Sequence, residues 1–240
     1  MNQTNPTTIA TAFALLLLVG LPILAAWDAR RGVDLAAAAS HRRALYVSVA
    51  LSLTIMTSLA IAVMSWQRVA ADAIGWSVED PVGSILWGAG ASAIGLAMIW
   101  IMTSLARLAR WEESPLATIL MPRTPGEKRG FLLLSGIAAV GEEVVFRGFL
   151  LWTLASWTSS PWFAAAVVSL SFGLAHGYQK LAGIVRSGTL GMLLAVPTIL
   201  TGSLFPAILA HFWINAAVGL GGWRYLLEDP EESADLDSGE

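Results

Sequence analysis

Glu142, Glu143, Arg147, His176, His211 and Asn215 stand in the apolar carboxy-proximal half of a 240-residue chain. Their types are the parts of a hydrolytic site. A carboxylate or an imidazole can take a proton from water, and imidazole and amide N–H groups can donate to a developing oxyanion. Spacing adds to this. Glu143 and Arg147 are four apart, share a helix face and can pair. Glu142 is turned about 100° away from Glu143 and has no local partner. His211 and Asn215 are also four apart and point the same way. A charge at the centre of a membrane helix costs roughly 2.5–3.5 kcal/mol, so three charges within six residues need compensation. Bland readings remain open: a structural ion pair locking a bundle, satisfied interhelical histidines, and an asparagine joining helices. So does a proton relay in a coupled transporter.

The surroundings decide what must hold these groups. The chain is 56% hydrophobic and 13% charged, with mean hydropathy +0.66. Soluble domains carry about 25% charged residues, so this is an all-α, polytopic membrane bundle. With no cysteine, disulfides, thiolate metal sites and a cysteine nucleophile are excluded. The net charge of −3 is small, and no basic stripe suggests nucleic acid. The N-terminus lacks the positive region of a signal peptide, so its first apolar run reads as the first membrane helix.

About seven crossings are expected: roughly 9–27 with a kink at Pro22, 44–66, 82–106, Gly130 to the turn Ser159-Ser160-Pro161, 162–178, 181–200, and 203–222 with Ser203 as N-cap. The sixth carries Arg186, Gly188, Gly191 and Pro197 and reads as broken or re-entrant. Between the third and fourth, Pro115 to Met121 is apolar enough to lie on the membrane surface. Residues 1–129 form a transmembrane scaffold, 130–223 a catalytic helical core, and 224–240 an acidic, disordered tail. Loops 28–43, 107–129 and 179–186 together with the tail hold 12 of the 14 Lys/Arg. That asymmetry puts the N-terminus outside and the C-terminus in the cytoplasm.

Depth gives a check. Glu142 is 12 residues past Gly130, about 18 Å in, and His211 is 13 residues before Arg224, about 20 Å from the same side. His176 is four residues from Lys180, about 6 Å. It reaches the same level only if helix 5 is short or tilted, or if the 177–187 connection sinks into the protein.

Glu142-Glu143-x-x-x-Arg147, Phe172-x-x-x-His176 and His211-x-x-x-Asn215, in that order on successive membrane helices, resemble the CAAX prenyl-protease and bacteriocin-processing family. These are intramembrane endopeptidases, also called the Abi family, with the type II CAAX endopeptidases among them. The likeness covers about residues 130–220. It implies that Glu142, with His176, activates a water against a peptide carbonyl, and that His211 and Asn215 bind the oxyanion. Glu143 and Arg147 would hold the site's shape and Phe172 would pack beside His176. It also implies a protein or peptide substrate, lipid-modified in the CAAX case, and residence in a prokaryotic cell membrane. Glu142, His176 and His211 could ligate Zn²⁺ with water in the fourth place. The chain has no His-Glu-x-x-His, and the reading preferred here is a glutamate protease with no cofactor. A non-proteolytic immunity or scaffold protein of the same family is the alternative.

Overall fold

A computed structural model describes residues 7–31, 35–111, 114–222 and 224; among these the chain is helical and has no strand. The acidic tail beyond Arg224 lies outside the described residues. In chain order the helices are α1 (Thr8–Arg31), α2 (Leu35–Ser40), α3 (Arg42–Trp66), α4 (Pro81–Leu108), α5 (Pro115–Ile119), α6 (125–158), α7 (Pro161–Ala175), α8 (Lys180–Thr201) and α9 (Phe205–Gly222). Five of them, α1, α3, α4, α9 and α8 with its preceding turn, are long and apolar enough to cross a membrane. Helix α6 is interrupted by the Glu142, Glu143 and Arg147 charges, and α7 is apolar but only 15 residues long. The expected surface segment is the short helix α5.

Polar ties join the ends of the bundle. At one end, Leu204 N–H donates to the Gly75 carbonyl at 2.8 Å and Ser203 Oγ donates to the Ser77 carbonyl at 2.6 Å. At the other, Tyr46 Oη donates to the Leu120 carbonyl at 2.6 Å and Arg42 Nη1 pairs with Glu127 at 2.9 Å. Connections that alternate in sequence therefore share an end. The N-cap of α9 is Leu204 rather than the expected Ser203, whose Oγ accepts from Phe205 N at 3.3 Å.

Proline leaves one carbonyl of α1 without its helical donor. Pro22 has no N–H, so the carbonyl four residues back, Leu18, loses its helical donor. Ser171 Oγ of α7 donates to that carbonyl at 2.8 Å, and a π-turn at Leu16–Gly20 takes up the extra backbone. That bond joins α1 to α7.

Helix α6 begins with a capping box. Glu127 N donates to Thr124 Oγ1 while Glu127 Oε2 accepts from the N–H groups of Thr124 and Arg123, both at 2.9 Å. Burial works to raise the Glu127 carboxyl, but those two N–H groups and Arg42 outweigh it and hold it down at about 2. An unfolded glutamate titrates near 4.3. A folded value below the unfolded one gives stability that is fully present above about pH 4.3 and is lost as pH falls towards 2. Glu127→Gln is therefore expected to lower the melting temperature at pH 7, with the gap from wild type closing as pH falls from about 4 to 2. Thermal unfolding in detergent over that range measures it, and a gap independent of pH would exclude the carboxylate's charge as the cause.

Small residues bring the remaining helices together. In α4, a Cβ at Gly95 would fall 2.5 Å from Ile214 Cδ1 and one at Gly88 would fall 2.9 Å from Leu209 Cβ, so α9 sits in a groove of glycines. Between α7 and α8, a Cβ at Gly173 would stand 2.6 Å from the Ile184 carbonyl oxygen and 2.9 Å from Gly188 Cα. These obstacles are backbone and cannot rotate aside. Gly173→Ala is expected to cost about 1–3 kcal/mol by overpacking and to displace His176 three residues on, seen as a lower melting temperature together with lost activity.

Two sequence expectations are corrected. Helix α8 is unbroken from Lys180 to Thr201, because Gly188 and Gly191 serve close packing rather than a break and Pro197 is accommodated within the helix. Arg186 is not a surface-loop charge. It is 6% exposed and its Nη1 donates to Thr103 Oγ1 of α4 at 3.2 Å. The reason lies in α7, whose 15 residues span about 22 Å, well short of a hydrocarbon core of about 30 Å. The 177–179 turn after it leads directly into α8, which carries Arg186 into the protein. Helix α7 is shorter than the expected 162–178 segment and ends at Ala175, just before His176.

Candidate active site

From Glu143 to Leu150, α6 leaves the α pattern for a π-helical stretch, and every residue of it is buried. Such stretches cost regular hydrogen bonding and recur at functional sites. Here it faces two different carboxylates two ways. Glu143 is fully buried, and its Oε1 accepts from Arg147 Nη1 at 2.9 Å and from His211 Nδ1–H at 2.8 Å. Glu142 is half-buried, and its Oε2 lies 3.8 Å from His211 Nε2. The partner that Glu142 lacks on its own helix thus comes from α9. His211 stands between the two glutamates with one ring nitrogen towards each.

Arg147 does more than close the ion pair. Its Nη2 donates to the Gly191 carbonyl of α8 at 2.9 Å, and its Cζ lies 4.9 Å above the Phe172 ring of α7. Gly191 permits the approach, since a Cβ there would sit 3.3 Å from both Arg147 Nη2 and the Phe172 ring. One guanidinium therefore ties together α6, α7 and α8, while Glu143 adds α9.

His176 ends α7. Its Nδ1–H donates to the Phe172 carbonyl at 2.8 Å, which leaves Nε2 as the acceptor nitrogen of the neutral ring. Phe172 packs with its ring 4.5 Å from that of His176 and edge-on to Phe146 at 4.9 Å. Phe172 is therefore placed beside His176.

Glu142, His176, His211 and Asn215 line one cavity of about 290 Å³ among α3, α4, α6, α8 and α9. The rest of its wall is largely apolar, with Leu53, Leu134, Ala138 and Ile214 among the lining residues. Glu143 and Arg147 stand behind the cavity and do not line it. The structure thus brings the four candidate catalytic residues and Phe172 to one space, with Glu143 and Arg147 behind it. Tyr178, Gln179 and Arg186 also line it, and the sequence reading did not place them there. An arginine inside a membrane helix was the available signal for Arg186, since such residues mark functional sites by default.

Among the described residues, no three His, Asp or Glu side chains converge as a cation site. Glu142, His176 and His211 as placed do not make the three-ligand set that a catalytic zinc requires, and no chemical step below is routed through a metal.

Fold and cavity together define a polytopic helical membrane protein with hydrolase-type polar groups inside its bundle. Residues 128–217, which contain all three motifs, match the family model of the Rce1-like type II CAAX prenyl endopeptidases. That match suggests protease activity on a protein substrate in a membrane setting. Comparison with curated proteins and with solved structures gave no match.

Proposed function

We propose that the protein is an intramembrane endopeptidase that cleaves a peptide bond with a water activated by Glu142. The observation that supports this most is the division between the two glutamates: Glu143 is spent on Arg147 and His211, while Glu142 faces the cavity. Glu142 takes a proton from the water as its oxygen attacks the carbonyl carbon, and His176 steadies that water through Nε2. The carbonyl oxygen becomes an oxyanion, which accepts from the Asn215 amide and from His211 Nε2–H. Since His211 Nδ1–H already donates to Glu143, this role requires the ring to be protonated at both nitrogens. The proton on Glu142 then passes to the leaving nitrogen, the C–N bond breaks, and a new carboxylate and a new amine result.

The substrate in this reading is a membrane-associated protein or peptide, prenylated in the CAAX manner or not, entering from the cytoplasmic side or from the lipid. The Lys/Arg distribution supports a cytoplasmic opening and a cytoplasmic C-terminus, since removing Arg186 from the loop count leaves 11 of the 14 on that side. The test is digestion of a diverse peptide library, with and without a farnesylated CAAX peptide, by purified wild type and Glu142→Gln. Mass spectrometry reads the new termini. Cleavage by wild type alone, unaffected by a strong chelator, is the expected result. Equal cleavage by both proteins would remove Glu142 from the mechanism, and chelator loss restored by Zn²⁺ would replace it with metal chemistry.

A further inference from the structure

A second cavity, of about 260 Å³, lies towards the end of the bundle opposite Tyr46 and Leu120, where the 72–75 turn meets the α6–α7 and α8–α9 connections. Arg147 lines this cavity and not the catalytic one. Glu143 and the Gly191 carbonyl hold its Nη1 and Nη2, but its buried Nε has no hydrogen-bond partner among the described residues. A buried donor left unmet is costly, so Nε marks a place for a ligand's acceptor. The other polar groups of the wall offer the reverse. Thr198 Oγ1 donates its hydrogen to the Leu194 carbonyl at 3.3 Å, and Ser156 Oγ donates to the Thr153 carbonyl at 2.6 Å. Each hydroxyl then presents lone pairs alone, and Asp72 adds a carboxylate. Trp152 and Ile199 supply apolar wall.

Charge narrows the choice of ligand. Glu143 already neutralises Arg147 at 2.9 Å, and Asp72 would repel an anion. A cation would meet the guanidinium and leave Nε without an acceptor. A hydroxyl accepts through its lone pairs and donates its hydrogen, so a neutral ligand with several hydroxyls answers all of these groups at once. The C–H face of such a ligand suits the flat apolar face of an indole. We infer that this cavity is a second binding site, at the face opposite the catalytic opening, for a neutral polyhydroxyl group of hexose size. A free sugar and a sugar headgroup on a lipid share that chemistry. The inference goes beyond the protease reading and does not depend on it.

The experiment measures binding of D-glucose, D-galactose and D-mannose to the whole protein by saturation-transfer NMR, in a detergent without a sugar headgroup. D-Glucuronate and D-glucosamine serve as anionic and cationic rings of the same size. At least one neutral hexose is expected to bind saturably, about fivefold more tightly than either charged ring. Asp72→Asn and Ser156→Ala, neither of which touches the catalytic groups, are each expected to weaken that binding several-fold. Displacement of the hexose by a glucosyl-diacylglycerol added to the micelles would assign the lipid as the source, and no displacement a free sugar. Absence of saturable binding by all three neutral hexoses overturns the inference, because water alone would then meet Nε. A charged ring that binds as tightly as the neutral ones overturns it too. So does binding undiminished in both variants, since the sugar would then sit elsewhere; should one variant fail to fold, the other decides.

Discussion

Glu142→Gln is expected to reduce kcat by about 10²–10⁴-fold, the usual worth of a positioned general base, while KM and melting temperature change little. The substitution keeps the side chain's volume and removes only its ability to accept and carry a proton. Structure gives two reasons for the small effect on stability. Glu142 is half-buried at the cavity wall, and its charged neighbour, His211 Nε2, is 3.8 Å away, beyond ordinary hydrogen-bond length. His211 also keeps its shorter contact to Glu143. Single-turnover rates with saturating peptide, together with thermal unfolding, separate the two quantities. A loss confined to KM would make Glu142 a binding group, and a loss of stability matching the loss of rate would make it structural.

How much of this was legible in the sequence follows from the membrane's cost for polar groups. Glu142, Glu143, Arg147, His176, His211 and Asn215 stood out because hydrocarbon gives them no reason to be there. Helix identities followed from apolar length and from Pro161 at a first turn; Pro81 and Pro125, which open α4 and α6 in the same way, are starts the sequence reading did not use. The Glu143–Arg147 pair was legible because both ends lie on one helix. What lay between helices was not. That Glu143 also holds His211 depends on the rotation of α9, which glycines 88 and 95 of α4 set by letting Leu209 and Ile214 in. The π-stretch at Glu143–Leu150 leaves no composition signal, because it differs from the α form only in which carbonyl each N–H chooses. Arg186 was misplaced because counting loop charges assumes that each helix starts at the membrane surface, and α7 is too short for that.

The largest effect on stability is expected at Glu143, one residue from the catalytic candidate. Glu143→Ala leaves the Arg147 guanidinium, 3% exposed, without its carboxylate, and takes the acceptor from His211 Nδ1–H. Breaking one side of a buried ion pair costs about 3–5 kcal/mol, because the remaining charge stays buried without a counter-charge. Arg147→Ala should cost a similar amount and, in addition, empty the space over Phe172 and free the Gly191 carbonyl. The diagnostic variant is the double replacement Glu143→Met/Arg147→Met. It removes both charges, fills the volume, and is expected to be less destabilised than either single alanine variant, since no unpaired charge is left. Activity should not follow stability. Without Glu143, His211 loses the acceptor that orients its ring, so the double variant should melt nearer to wild type and remain at least a hundredfold slower. Unfolding of the four proteins in one detergent, with peptide cleavage read alongside, tests both halves. A double variant as unstable as the sum of the singles would show that the two residues act independently, and one that regained activity would show that Glu143 does nothing for His211.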